Sequence, residues 1–221
     1  MQKIIVFGAS GHAKVVIDIL EKSGRWEIVG IVDGKQSGAA GSVFGHDILG
    51  ADEDLPRIVE QMDVVHGIIA VGDNFLRNRI HQKILNLCPG FKFGTAVHPD
   101  SSIARGVTIG DGTVIMAGAV INSDAKVGRF CIVNTNASLD HDSHLDDFAS
   151  LAPGAVLGGN VTVGPFSAVS LGAMVKHGVT IGGHAVVGAG SIVMRDVPGL
   201  SVSYGQPCRF VRSRKPGDSY L

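Results

Sequence analysis

The chain has few cysteines, almost no net charge and no long apolar segment. Its 221 residues include 19 basic and 20 acidic residues, and the formal net charge is −1. The three widely spaced thiols of Cys88, Cys131 and Cys208 fit neither a disulfide framework nor a zinc knuckle. A balanced charge argues against nucleic acid or an anionic membrane as a partner, and no apolar run approaches the roughly 20 residues needed to cross a bilayer. Since no signal peptide is visible, we expect a soluble protein of the reducing cytoplasm.

What the sequence has instead is a repeat of six residues. Stepping by six from Ile103 to Val193, all sixteen positions are Ile, Val or Leu, and the residue four places after each is small or β-branched. A period of six excludes an α-helix, and the lack of period-2 alternation with hairpin turns excludes a β-sandwich. Hexapeptide repeats predict a parallel β-helix, in which three hexapeptides form one triangular coil and residues 18 apart stack. The aliphatic residue should fill the prism, and the small residue should fit its corner.

Residues 1–96 lack this repeat and alternate between strand and helix patterns. The segment KIIVFGASGHAKVVIDILEKSG is an apolar strand, a glycine turn and an amphipathic helix, and WEIVGIVDGK is a second strand. This βαβ pattern predicts a Rossmann-like α/β nucleotide-binding domain over residues 1–96, with the all-β helix and a C-terminal tail over residues 97–221.

The glycine turn after the first strand is a candidate phosphate site. Ser10, Gly11 and His12 open a helix whose free N–H groups and dipole suit a pyrophosphate. The turn is G-A-S-G-H rather than the full G-x-G-x-x-G, and a helix-capping turn is the alternative interpretation. Asp33, about twenty positions on, could hold a ribose or a base edge.

A second glycine turn repeats this arrangement. Gly72, Asp73 and Asn74 follow a later strand, at the edge where open α/β sheets bind ligands. They are therefore further candidates for substrate binding. Arg77 and Arg79, in the helix that follows, could add phosphate contacts, but we expect both on its solvated face.

Several motifs together resemble a known family. GASGHAKVV, AVGDN, the unbroken hexapeptide array, DHD and a tail of the form G-x-P-x-R, here GQPCR, are similar to bacterial sugar acetyltransferases of the left-handed β-helix superfamily. The resemblance covers nearly the whole chain. It is greatest to the N-acetyltransferases of nucleotide-linked 4-amino-4,6-dideoxy sugars, the perosamine N-acetyltransferase type. Cys208 stands where the family's tail usually has alanine.

This resemblance implies a fold, substrates and an assembly. The β-helix is expected to wind left-handed, against the usual right-handed crossover rule. Acetyl-CoA is the implied cosubstrate, with no metal, and the N-terminal domain would hold a UDP- or GDP-linked amino sugar. The active sites would lie between adjacent prisms of a homotrimer. Surface polysaccharide or glycan biosynthesis is the implied setting.

The resemblance also implies roles for the stretch LDHDSH. It makes His141 the general base, Asp142 its partner and the backbone N–H of Gly159 the oxyanion donor. The residues agree with this: His141 is third in its hexapeptide and should point outward, and Gly159 lies 18 residues later, in the next coil. In a plain strand Asp140 and Asp142 would both turn away from the imidazole, so only a corner lets either acid orient it. We choose Asp142 by resemblance.

The cofactor contacts come from the same resemblance. It implies that Ser150, Leu171 and Ala189 bind CoA, largely through backbone groups. No serine or cysteine flanked by histidine indicates a covalent acyl-enzyme, and we therefore expect direct transfer in a ternary complex.

Three other functions are considered. Sialic acid O-acetyltransferases share the same pairing of domains. A zinc enzyme like the γ-class carbonic anhydrases needs three convergent histidines, but no histidine lies 18 residues from His141 or His144. A nicotinamide-dependent oxidoreductase built on the N-terminal turn would leave the β-helix without a function.

Overall fold

The computed structural model describes residues 1–34 and 41–220, which form two compact units. One unit contains Met1–Gly72 and Leu76–Pro99, and the other contains Asp73–Phe75 and the chain from Asp100 onward. Among the described helices, none is long and apolar enough to cross a membrane.

The first unit is an α/β fold with a mostly parallel sheet. The strand order is β3-β4-β2-β1-β5-β6, and only β3 runs antiparallel to its neighbour. The middle of β1 is fully buried because the sheet is covered by apolar side chains such as Val16 and Leu20 of α1. The elements before residue 99 are β1 (Gln2–Phe7), α1 (Gly11–Ser23), β2 (Trp26–Val32), β3 (Ser42–Val43), β4 (His46–Gly50), a 3₁₀ turn (Asp52–Asp54), α2 (Leu55–Met62), β5 (His66–Ile69), α3 (Asn74–Leu87), β6 (Lys92–Phe93) and β7 (Ala96–Val97).

The second unit is a parallel β-helix built from two-residue strands. Its strands pair with partners 18 residues away, for example Ser138 with Val156 and His144 with Thr162, and the predicted coil length is confirmed. The strands are β8 (Ser102–Ile103), β9 (Thr108–Ile109), β10 (Val114–Ile115), β11 (Val120–Ile121), β12 (Lys126–Val127), β13 (Ile132–Val133), β14 (Ser138–Leu139), β15 (His144–Leu145), β16 (Ser150–Leu151), β17 (Val156–Leu157), β18 (Thr162–Val163), β19 (Ala168–Val169), β20 (Met174–Val175), β21 (Thr180–Ile181), β22 (Val186–Val187), β23 (Ile192–Val193), β24 (Ser201–Gly205) and β25 (Cys208–Ser213).

Three sheets form the sides of the prism. The first sheet contains β10, β13, β16, β19 and β22, and the hairpin of β24 and β25 extends it. The second sheet runs from β8 to β23 in steps of three strands, and the third sheet runs from β9 to β21 in the same steps. From Ile115 onward the aliphatic position of every hexapeptide is at most 4% exposed, so these side chains fill the prism.

From Thr113 onward the small residue of each hexapeptide lies buried at a corner, where a hydroxyl can also bind backbone groups. Ser167 Oγ donates to the carbonyl of Gly182 at 2.7 Å and accepts the N–H of Ala185 at 2.9 Å, so it bridges its own coil to the next one. Thr113 and Ser143 each make the same pair of bonds. These hydroxyls satisfy backbone groups that the tight corner leaves unpaired.

One corner carries a ladder of aromatic rings. Phe130, Phe148, Phe166 and His184 stack on one another with centroids 4.8–5.1 Å apart and planes within 7°. All four have φ between 55° and 61°, a left-handed conformation that is costly for bulky residues. Ring stacking offsets that cost, because each successive coil supplies one ring at the same corner of the prism.

We expect Ser167→Ala to lower the stability of the β-helix. Alanine fits this corner, as Ala149 and Ala185 do one coil away, so only the hydroxyl is lost. The hydrogen bonds of this hydroxyl to the carbonyl of Gly182 and from the N–H of Ala185 would be lost, which costs roughly 1–3 kcal/mol in total. Thermal unfolding followed by circular dichroism measures the effect. Replacement of the exposed Ser213 by alanine is the control, and an equal loss for both variants would contradict the bridging role.

Candidate active site

His141 and Asp142 lie together at the corner that follows β14. Asp142 has φ of 56°, in the left-handed region, and this conformation brings the two adjacent side chains to the same side of the chain. His141 Nδ1 is 2.8 Å from Asp142 Oδ2, and both side chains are about half exposed. The corner that this pairing requires is therefore present at these residues.

Asp140 has a different contact. Its Oδ1 accepts the backbone N–H of His141 at 2.8 Å and the amide of Asn122 at 2.7 Å. The hydrogen bond from Asn122 is the main reason why the pKa of Asp140 lies below its ordinary value. Asp140 thus holds the backbone of His141, whereas Asp142 holds the ring. Sequence reasoning missed Asn122, although it lies 18 residues before Asp140 and is therefore stacked beside it.

The environment of His141 favours its protonated form. The hydrogen bond to Asp142 is the main reason why the pKa of His141 lies above its ordinary value of 6.5. Desolvation opposes this effect, and the charges of Asp140 and Asp142 add to it. In the neutral ring this hydrogen bond assigns the proton to Nδ1. Nε2 then carries a free lone pair and can accept a proton.

Gly159 lies directly against the ring of His141. A Cβ built on Gly159 would overlap Nε2, Cε1 and Cδ2 of the imidazole, so a glycine is needed for the ring to take this position. The backbone N–H of Gly159 donates no hydrogen bond to any residue that the structure describes. Leu171, which is also third in its hexapeptide, likewise has an N–H without a partner within the described chain. Gly159 differs from it because an imidazole lies beside its N–H. The pair therefore offers a proton acceptor next to a free N–H donor.

The predicted CoA residues lie elsewhere on the prism. Ser150 belongs to β16 in the first sheet, and Leu171 and Ala189 stack 18 residues apart at the corner between the first and second sheets. His141 occupies the corner between the second and third sheets. Within one β-helix, the two groups are thus separated by the width of the second sheet.

The outer surface of the second sheet is apolar between these two corners. Val156 is 46% exposed and Met174 is 54% exposed, and Leu171 at the corner is 57% exposed. In residues 1–34 and 41–220, no group of three or more His, Cys, Asp or Glu side chains could hold a metal ion.

The first unit contains a cavity of about 340 Å³ at the carboxyl edge of its sheet. Its lining includes Gly8, Ser10 and Asp33. Asp33 Oδ2 accepts the backbone N–H of Ala9 at 2.8 Å, and this bond ties the carboxylate to the glycine turn. Ser10 caps α1 without a side-chain hydrogen bond, and a Cβ on Gly11 would meet only open space.

Gly8 is required by the turn itself. Its φ is 111°, and a Cβ there would lie 3.1 Å from the carbonyl oxygen of Ala70. The glycine turn therefore brings β1 and β5 close together at the cavity.

His12 is partly buried and Arg77 is fully buried beside the glycine turn of the cavity. Burial and the charge of Arg77 lower the pKa of His12 to about 4, so its ring is neutral at physiological pH. Its Nε2 is buried and has no hydrogen-bond partner within the described chain. The interpretation of Arg77 as a solvated residue is wrong: it is fully buried and donates to the carbonyls of Val71 and Gly72 at 2.9 and 3.0 Å. One nitrogen of the guanidinium, Nη1, thus satisfies both carbonyls.

The second glycine turn does not line the cavity. Val71 lies in the lining, but Gly72, Asp73 and Asn74 do not. Asn74 is 1% exposed, and its amide donates to the carbonyl of Ser167 at 3.1 Å within the second unit. Arg79 is exposed, as expected.

Comparison with known proteins shows what this chain is similar to. Residues 3–84 match the PglD N-terminal domain family. A curated relative, the UDP-N-acetylbacillosamine N-acetyltransferase of Bacillus subtilis (strain 168), is 34% identical over 118 residues, which is 53% of this chain and 52% of the relative. The chain thus matches about half the length of that relative.

Two solved structures extend the match over both units. PerB of Caulobacter crescentus, solved in complex with CoA and GDP-perosamine, is 36% identical with a TM-score of 0.89, covering 96% of this chain and 98% of PerB. The acetyltransferase domain of PglB from Neisseria gonorrhoeae, solved with acetyl coenzyme A, is 33% identical with a TM-score of 0.86, covering 95% and 99%. The predicted fold, an α/β unit followed by a left-handed β-helix, is confirmed. The chain belongs to the family of hexapeptide-repeat sugar N-acetyltransferases.

Proposed function

We propose that this chain transfers the acetyl group of acetyl-CoA to the 4-amino group of a nucleotide-linked 4-amino-4,6-dideoxy sugar. The observation that carries the proposal is the imidazole of His141, held by Asp142 at 2.8 Å beside the free N–H of Gly159. The related enzymes support it, because one binds CoA together with GDP-perosamine and another is an N-acetyltransferase of a UDP-linked amino sugar. We further propose that the protein acts in the cytoplasm, where acetyl-CoA is available for glycan biosynthesis.

In the proposed mechanism the sugar amine attacks the thioester carbon directly. As the new N–C bond forms, His141 Nε2 takes a proton from the nitrogen, and Asp142 stabilises the imidazolium that results. The negative charge that develops on the carbonyl oxygen is stabilised by the N–H of Gly159. The C–S bond then breaks, and His141 returns the proton to the departing CoA thiolate. No covalent acyl-enzyme is needed.

The two units divide the binding of substrates. The glycine turn at Ser10, Gly11 and His12, together with Asp33, would hold the nucleotide in the first unit. Gly72 and Asp73 lie outside the lining of that cavity and stay a prediction from the sequence, and the amide of Asn74 is already hydrogen-bonded within the protein. Backbone groups at Ser150, Leu171 and Ala189 would bind CoA on the β-helix.

A homotrimer would bring the catalytic and cofactor groups together. His141 and Leu171 lie at opposite edges of the second sheet, so a second prism packed on that sheet would set one subunit's His141 beside its neighbour's Leu171. The exposed Val156 and Met174 between them would be covered in the same contact. A closed threefold ring leaves no such face open.

Sialic acid O-acetylation is the related alternative. The same base could activate a hydroxyl, but the relatives that match the chain are N-acetyltransferases of amino sugars. A screen of nucleotide-linked 4-amino sugars against free sialic acid, with acetyl-CoA and detection of released thiol, tests the proposal. Thiol release with sialic acid alone would overturn it.

We expect His141→Ala to lower kcat by about 10²–10⁴ and to leave acetyl-CoA affinity nearly unchanged, because a general base acts in the transition state. The exposed side chain makes no core contact, and the fold should survive. Thiol release measures kcat, and calorimetry measures the binding of acetyl-CoA.

His144→Ala is the matched control for this prediction. His144 lies only three residues away, on the outer face of β15, and should retain wild-type kcat. If His141→Ala kept more than about a tenth of the activity at neutral pH, His141 would not be the base.

The pH dependence of kcat/KM should reveal the pair. His141 must be neutral to accept a proton, so activity should fall as pH drops below a pKa that lies above 6.5. Asp142→Asn removes the largest cause of that raised pKa, and its acid limb should therefore move to lower pH. If the fall of kcat/KM at low pH occurred at the same pH in Asp142→Asn as in the wild type, the contact between the two side chains would be contradicted.

Mixed oligomers test whether the site is shared between subunits. His141→Ala disables the base and Leu171→Glu, at an exposed position, disables the cofactor side, so each variant alone should be nearly inactive. Co-expressed at equal levels, the two variants should regain about a quarter of wild-type activity. In random mixing, about one interface in four joins an intact His141 to an intact Leu171 of the neighbouring subunit. No recovery, or a fully active monomer by light scattering, would exclude the shared site.

A further inference from the structure

Three neighbouring strand ends supply the polar groups of the first unit's cavity. β1 is followed by the glycine turn, β2 by Asp33, and β4 by Asp52. The three strands are parallel and adjacent, so their carboxyl ends lie at one edge, about 4.8 Å apart per strand. The carboxyl ends of β1 and β4 are thus about 10 Å apart. This separation suits the distance from the phosphates to the base of a nucleotide. Gly8 marks the phosphate end of the cavity, and Asp52 marks the opposite end.

Asp33 and Asp52 differ in what their carboxylates already bind. Asp33 is tied to the N–H of Ala9 next to the phosphate turn, where nucleotide-binding folds place an acid on the ribose. Asp52 Oδ2 accepts a hydrogen bond from Lys83 Nζ at 2.8 Å. Its Oδ1 accepts none from any residue in the described ranges, and its side chain is only 14% exposed. The far end of the cavity therefore holds a shielded anionic oxygen that has no donor.

Lys83 and Gly34 keep Asp52 in place. Lys83 Nζ also binds Glu53 Oε1 at 2.7 Å, and these hydrogen bonds raise the pKa of Lys83, so its positive charge persists beside Asp52. A Cβ on Gly34 would lie 3.0 Å from Asp52 Oδ2, so the carboxylate packs directly on the Gly34 backbone. Asp52 is thus fixed beside a positive charge, and its carboxylate is oriented without any ligand.

We infer that Asp52 binds the base of the nucleotide and selects guanine over uracil, which makes the acetyl acceptor a GDP-linked sugar; this rests on the proposed function. An ionised carboxylate can only accept hydrogen bonds. Guanine presents two adjacent donors, N1–H and N2–H, which a carboxylate accepts together. Uracil presents one N–H between two carbonyl oxygens, which would face the carboxylate and be repelled. The apolar side chains of Leu76 and Ile80 line the same cavity and suit the face of a purine ring.

Binding of free GDP and UDP to the whole 221-residue chain tests the inference apart from catalysis. By calorimetry we expect GDP to bind at least about tenfold more tightly than UDP, since a charge-assisted hydrogen bond is lost with uracil. Asp52→Asn should weaken the binding of GDP by about 10- to 100-fold and leave the affinity for UDP unchanged or improved. Glu53→Gln is the matched control: it shares Lys83 but is 69% exposed and outside the cavity lining, and should keep the preference for GDP.

A second variant covers the case in which Asp52→Asn is unstable. Gly34→Ala keeps Asp52 but displaces its carboxylate, and should cause the same selective loss of GDP. Equal affinity for GDP and UDP, or an equal loss of both in Asp52→Asn, would overturn the inference. Thiol release with a UDP-linked amino sugar would then leave the proposed function standing. If neither GDP- nor UDP-linked amino sugars released thiol, the proposed function would fall together with this inference.

Discussion

The stacking of residues 18 apart is the constraint on which the rest of the β-helix depends. Strands of two residues are too short to be stable alone, and here each is paired with a strand from a neighbouring coil. A coil of any other length would turn aliphatic side chains out of the prism. Corner hydroxyls such as Ser167 and the ladder of Phe130, Phe148 and Phe166 repeat in the same register, so one spacing satisfies the interior, the corners and the backbone.

The candidate active site uses the same register in both directions. Asn122, 18 residues before Asp140, holds the acid that fixes the backbone of His141. Gly159, 18 residues after His141, leaves space for the imidazole and offers an N–H beside it. The base is thus positioned by groups on three successive coils. Its partner Asp142 depends only on the local corner, where the left-handed conformation brings two adjacent side chains together.

The first unit uses a different device to bring distant residues together. The carboxyl ends of its parallel strands meet at one edge, so Asp33 and Asp52 reach the same cavity from separate parts of the chain. The two cations near this edge are already engaged by protein groups. Arg77 is buried and satisfies strand-end carbonyls, and Lys83 holds Asp52, so neither cation is free to act as a simple phosphate contact.

The sequence by itself determined the architecture, because a strict six-residue period admits one fold and an apolar strand with a glycine turn and an amphipathic helix admits another. It also singled out His141 and Gly159, whose spacing of 18 is visible in the chain. Only the tertiary structure decided that Asp142 rather than Asp140 binds the imidazole, since adjacent side chains meet only at a corner whose dihedral angles the sequence does not state. The burial of Arg77 and the hydrogen bonds of Asn74 were likewise decided by packing, because helix position alone does not reveal which face lies against other residues of the fold.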